Sequence, residues 1–71
     1  MLDAYHLAVA ARIRAVAKRK GVSLNQLADL SGVSRSQLAR ILRGAQSPKL
    51  TTLRAFAATL DVTVRELLPT G

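Results

Sequence analysis

The chain contains no cysteine, no tryptophan and a single histidine, His6, so it lacks the side chains from which disulfides, thiolate metal sites and most acid–base machinery are built. Hydrophobic packing alone must hold the fold, and 71 residues leave room for one domain, spanning 1–71, around one compact core. Acids are scarce as well, being only Asp3, Asp29, Asp61 and Glu66. One histidine among four carboxylates makes neither a metal centre nor an acid–base pair, so the chain reads as non-enzymatic, with no metal and no cofactor. No apolar run approaches the ~20 residues needed to span a bilayer. Leu7 to Ala11 precede the first arginine, the reverse of the order in a secretory signal, and a cytoplasmic location is the expectation. The stretch from Ala4 to Lys20 has the amphipathic, acid-poor character of a transit peptide or surface-binding helix, but it runs unbroken into the rest of the domain and reads as a structural helix.

What the chain does have is positive charge. Eleven Lys and Arg against four acids give a net charge of +7. The excess is concentrated between Arg12 and Lys49, where nine basic residues accompany only Asp29. A charge so concentrated favours a polyanionic partner, nucleic acid or an acidic membrane surface, over a face that merely keeps the protein soluble.

Apolar periodicity predicts five helices and no strand. The first runs over residues 4–20, from a cap at Asp3 to a stop at Gly21, with Tyr5, Val9, Ile13 and Val16 as its buried stripe. The second, 24–31, opens with a capping box made by Ser23 and Gln26, carries Leu24, Leu27, Ala28 and Leu30, and stops at Gly32. Two residues later the signature recurs as Ser34 and Gln37, so a third helix spans 35–43, turns Leu38, Ile41 and Leu42 inward and ends at Gly44. A fourth, 50–60, carries Leu50, Leu53, Phe56, Ala57 and Leu60. Its start is open between a Ser47 cap with Pro48 at the first helical position and a point one turn later. Thr63 and Glu66 form a third capping box for a last short helix, 64–68, which Pro69 halts. Helices this short must pack together to persist.

The second and third helices carry the functional signal. Gly32 is free to take the left-handed conformation that a tight turn demands, Ala28 permits close approach one turn earlier, and Val33, Leu38 and Ile41 fill the angle between the helices. The arrangement reads as a helix-turn-helix, with an ordinary helical hairpin as the alternative. With Leu38, Ile41 and Leu42 inward, Ser36, Arg40 and Arg43 lie on the outer face, flanked by Arg35 and Ala39, and no acid interrupts the row. Arginine can offer two donors to guanine, serine adapts to several bases, and Ala39 lets the helix sit deep in a groove. Arg35 and Arg40 read as base contacts, with phosphate contact as the alternative for each. For Gln37, capping competes with DNA contact, and capping is the expectation.

These residues resemble the Cro and repressor family of helix-turn-helix proteins, found in phages and among xenobiotic-response-type bacterial regulators. The resemblance covers about Ile13 to Leu68 and rests on Gly21-Val22-Ser23, Leu27-Ala28, Gly32-Val33-Ser34, Leu38, Ile41, Arg43-Gly44, Pro48, Leu53, Phe56-Ala57, Leu60 and Val62. It implies an all-α, five-helix domain whose third helix lies in the major groove of double-stranded DNA and which binds as a homodimer to two half-sites. It places Arg35, Ser36, Arg40 and, secondarily, Gln37 at base-reading positions. Ser23, Arg43, Gly44 and Lys49 fall where phosphates are held, and Leu60, Val62 and Val64 around the dimer contact. Leu24 stands where the family commonly has a backbone-contacting glutamine. Ala17 and Leu42 stand where it commonly pairs an arginine with a glutamate, as if a hydrophobic contact had replaced the ion pair; the alternative is an exposed Leu42 that contacts a partner subunit or protein. The resemblance implies a sequence-specific transcriptional regulator, with repression the expected direction. No ligand-sensing domain is expected beyond Leu68. The alternatives are the antitoxin of a toxin–antitoxin pair, which would add a toxin as partner, and a module bridging transcription factors, which has no need of an acid-free arginine row.

Overall fold

The computed structural model describes residues 4–69, and in them four α-helices precede one 3₁₀ helix, with no strand among the described residues. α1 spans Ala4–Arg19, α2 Leu24–Ser31, α3 Arg35–Leu42 and α4 Leu50–Leu60, and the 3₁₀ helix covers Val64–Leu67. Asp3, expected to cap α1, lies outside the described residues.

Three of the helix ends are built in one way. After α1, the Val22 amide donates to Ala17 O at 2.9 Å and the Gly21 amide to Lys18 O at 3.1 Å, with Gly21 at φ +71°. After α3, Ala45 donates to Arg40 O and Gly44 to Ile41 O, both at 3.0 Å. After α4, Val62 donates to Ala57 O at 2.9 Å and Asp61 to Ala58 O at 3.3 Å. Each pair satisfies carbonyls the helix would otherwise leave open, and each requires one left-handed residue. These closures draw Lys20 and Arg43 out of the helices that periodicity assigned them to. At α4 the left-handed residue is Asp61, at φ 56°, in place of a glycine.

Helix starts divide differently. Ser23 and Gln26 make the full capping box, with Ser23 Oγ accepting from the Gln26 amide at 3.0 Å and Gln26 Oε1 accepting from the Ser23 amide at 2.9 Å. Ser34 Oγ accepts from the Gln37 amide at 3.0 Å, but the Gln37 side chain does not return the bond. The expected capping role of that side chain is therefore not taken up. α4 begins late: Lys49 is its N-cap and has no side-chain cap bond, so Ser47 and Pro48 stay in the loop. The box expected of Thr63 and Glu66 does not form either. Thr63 supplies no side-chain cap bond, the last element is a 3₁₀ turn one residue shorter than expected, and the Glu66 carboxylate bonds instead to Arg19.

The core is assembled from every element. Val9, Ile13, Val16 and Ala17 of α1 meet Leu27 and Ala28 of α2, Leu38 and Ile41 of α3, Leu53, Phe56, Ala57 and Leu60 of α4, and Leu67. α1 packs on α3 and on the 3₁₀ helix, α2 on α4, and α2 and α3 meet across the Gly32 turn. The inward stripe of α1 begins at Val9, since Tyr5, expected to share it, is 53% exposed near the end of the helix. Leu42, expected to face fully inward, is half-buried at the edge of the core. Burying one apolar stripe per short helix leaves the opposite face of α3 entirely to solvent.

Candidate nucleic-acid interface

α3 is oriented from both ends. Leu38 and Ile41, 3% and 1% exposed, pin its inner face, and Gly32 at φ +78° sets the angle at which it leaves α2. Helical geometry then leaves Arg35, Ser36, Ala39 and Arg40 exposed together, with Arg43 exposed as the C-cap and Gln37 at the margin, half-buried. Structure thus brings the four expected base-reading positions onto one helix surface.

Neither Arg35 nor Arg40 is a free cation. Arg40 Nη1 donates to Ser36 Oγ one turn earlier and Arg40 Nε donates to Gln46 Oε1 in the following loop, each at 3.0 Å. Arg35 reaches back across the turn to α2: Nε donates to Asp29 Oδ1 at 3.3 Å and Nη2 to Asp29 Oδ2 at 2.9 Å, a two-pronged ion pair exposed to solvent. The hydrogen bond from Arg35 is the main cause holding the Asp29 carboxyl below its ordinary range, and the same bond raises the guanidinium. The outer row of α3 carries no acid of its own, but α2 supplies one to it.

The expected phosphate-holding positions are less uniform. Arg43 and Lys49 are exposed cations at the end of α3 and the start of α4. Ser23 is exposed, but its oxygen already accepts the Gln26 amide, which leaves the hydroxyl proton as its offer. Gly44 is buried and its amide donates to Ile41 O, so it has no free donor for a phosphate. That expectation is corrected. A groove of about 250 Å³ runs beside α3, its apolar lining drawn from Leu24, Leu38 and Leu42 and its cations from Arg14, Arg35 and Arg43. Arg14 is exposed on α1 and was missed in the sequence because nothing in helical spacing tells which outward arginine borders a neighbouring helix.

Of the positions expected at a dimer contact, Leu60 is 1% exposed and belongs to the core, so it has no surface to offer a second subunit. Val62 and Val64 are half-buried against the same core. Asp29 and Gln46 are the other residues that sequence reasoning missed. Each lies six positions from the arginine it holds, across a turn, and no local periodicity signals such a pairing. Among the described residues no helix is long and apolar enough to cross a membrane.

Comparison with known proteins agrees with this geometry. The profile of the helix-turn-helix family matches residues 13–67. The HTH-type transcriptional regulator SlrR of Bacillus subtilis (strain 168) is 50% identical over 56 residues, which are 78% of this chain and 37% of SlrR. The immunity repressor protein of Bacillus phage phi105 is 37% identical over 62 residues, 87% of this chain and 43% of the repressor. The chain thus spans well under half the length of either relative. The crystal structure of the restriction-modification controller protein C.AhdI from Aeromonas hydrophila superposes with a TM-score of 0.87 at 33% identity, covering 93% of this chain and all of that one.

Proposed function

The chain belongs to the helix-turn-helix family, and we propose that it acts as a transcriptional regulator that lays α3 in the major groove of duplex DNA and represses without catalysis. The observation that carries this reading is the outer face of α3, where Arg35, Ser36 and Arg40 stand exposed with their guanidinium groups already oriented by neighbours. Oriented donors cost less ordering entropy on binding and suit base edges, which demand fixed geometry. Arg35 and Arg40 take guanine, Ser36 an adjacent base, and Gln37, whose side-chain carboxamide makes no cap bond, reaches the margin of the same site. Arg43, Lys49 and Arg14, with the Ser23 hydroxyl, grip the phosphates on either side. Similarity to an immunity repressor supports repression as the direction of control.

Two copies occupy two half-sites about 34 Å apart on one face of the duplex, because one eight-residue reading helix contacts only a few base pairs. The contact between them falls on the loop and 3₁₀ helix after α4, around Val62 and Val64. Selection of bound sequences from a random duplex pool tests the reading. It should return a two-half-site consensus, with a slope of log K against log salt of roughly −2.7 per protomer if three phosphates are neutralised. An unselected pool with binding insensitive to salt would overturn it.

A further inference from the structure

Asp29 is the only acid between Arg12 and Lys49, and it sits on α2, not on the reading helix. Its two carboxylate oxygens occupy one edge of Arg35, taking the Nε–H and one Nη2–H. A guanidinium carries five N–H groups, so the outer edge formed by Nη1–H and the second Nη2–H stays open. That edge carries the two roughly parallel donors that match guanine O6 and N7. The carboxylate is itself 60% exposed, so it also places a negative charge beside any phosphate that approaches Arg35.

We propose that Asp29 is a positioning residue of the DNA-reading surface: it clamps the inner edge of Arg35, aims the outer edge at a guanine and repels phosphate, so that Arg35 distinguishes bases instead of gripping the backbone. This rests on the reading that α3 enters the major groove. Arg40 provides the contrast within the same helix. Its partners Ser36 and Gln46 are neutral, so they orient it without opposing phosphate.

The test uses the intact chain on the duplex selected from the random pool, on single-base variants of it and on a scrambled duplex. Five proteins are compared: the parent, Arg35→Ala, Asp29→Ala, the double variant, and Asp29→Asn, which keeps an acceptor without the charge. Both positions are exposed, and thermal melts of each variant should match that of the parent. Arg35→Ala should lower preference at one base pair about tenfold. Asp29→Ala should lower preference at that same pair about fivefold, raise affinity for the scrambled duplex severalfold and steepen the salt slope by about 0.9 as Arg35 turns to a phosphate. Asp29→Asn should fall between Asp29→Ala and the parent. In the double variant the Asp29 change should have no further effect on base preference, because it acts through Arg35. Should Arg35→Ala lose the preference while Asp29→Ala leaves both preference and scrambled affinity untouched, the role of Asp29 is overturned and the reading of α3 stands. Should Arg35→Ala itself leave base preference intact, the base-reading assignment of Arg35 is overturned. An Asp29→Ala effect that persists in full without Arg35 also overturns the proposal.

Discussion

Arg19 Nη2 of α1 lies 3.1 Å from Glu66 Oε2, and Arg12 Nε, two turns earlier on α1, donates to the backbone carbonyl of that same Glu66 at 3.0 Å. The 3₁₀ helix is therefore fastened to the first helix at two points, one through a charge and one through a backbone acceptor. Both side chains of the ion pair are about half exposed, so its worth is that of a surface pair. Glu66→Ala should cost about 0.5 kcal/mol at low ionic strength and almost nothing in 1 M salt, since the Arg12 bond needs no Glu66 side chain. Urea melts at two salt concentrations measure this. A loss of 2 kcal/mol, or one that ignores salt, would mean that Glu66 does more than fasten the 3₁₀ helix.

The left-handed positions at helix ends give a pair of opposite effects. A Cβ built on Gly32 meets nothing within 4 Å, so Gly32→Ala carries only the conformational penalty of φ +78° and should destabilise by about 1–2 kcal/mol. Asp61 already bears that penalty at φ 56°, softened by its short polar side chain, and Asp61→Gly should stabilise by about 0.5–1 kcal/mol. Thermal melts of the two variants should move in opposite directions. Equal and parallel shifts would contradict the assignment.

Leu42 and Ala17 behave differently from each other. Ala17 is 1% exposed inside the core, so an arginine there has no room. Leu42 is half-buried and borders the groove that Arg14 and Arg43 also line, so a carboxylate there would meet cations at hand. Leu42→Glu should cost about 1–2 kcal/mol, less than an unpaired charge buried in the core. Adding Arg14→Ala should cost roughly 0.5 kcal/mol beyond the sum of the single changes. Additive urea melts would show that Arg14 does not reach the introduced charge.

Helix order, the tight turn and the exposed face of α3 were legible because each rests on local chemistry. Ser23 with Gln26, Gly21 and Gly32 mark ends that depend on residues within one turn, and Leu38 with Ile41 fixes the inward side of α3 by spacing alone. What was illegible depended on partners outside the residue's own helix. Glu66 had the spacing of a capping residue but is drawn off by Arg19, 47 positions away, and Arg40 meets Gln46 only because the Gly44 turn folds the loop back. Tyr5 fitted the periodic stripe of α1, yet the core ends before it. Leu60 was placed at a dimer surface through resemblance, while its burial shows that α4 turns it inward.

The pH response of the Arg35 pair has a defined sign. Asp29 titrates below its ordinary range because the Arg35 hydrogen bond favours the carboxylate. A lowered folded-state pKa means that the pair's contribution is complete above the unfolded value of about 4 and fades as pH falls through the folded value. Base preference attributable to Arg35 should therefore be constant from pH 8 to pH 5, measured as the affinity ratio of the selected duplex to its single-base variant. A drop in that ratio between pH 7 and pH 5 would contradict the pairing.

In the proposed complex the exposed face of α3 reads bases while the cations beside it only hold the backbone. The most direct measurement is the ratio of affinities for the selected and scrambled duplexes in Arg40→Ala, set beside the same ratio in Arg43→Ala. Arg40→Ala should lose about 1–3 kcal/mol on the selected duplex and much less on the scrambled one, so its ratio collapses. Arg43→Ala should weaken both duplexes alike and keep the ratio of the parent, with the salt slope shallower by about one. If Arg40→Ala weakens both duplexes equally, Arg40 is a phosphate contact and α3 does not read DNA in the way described.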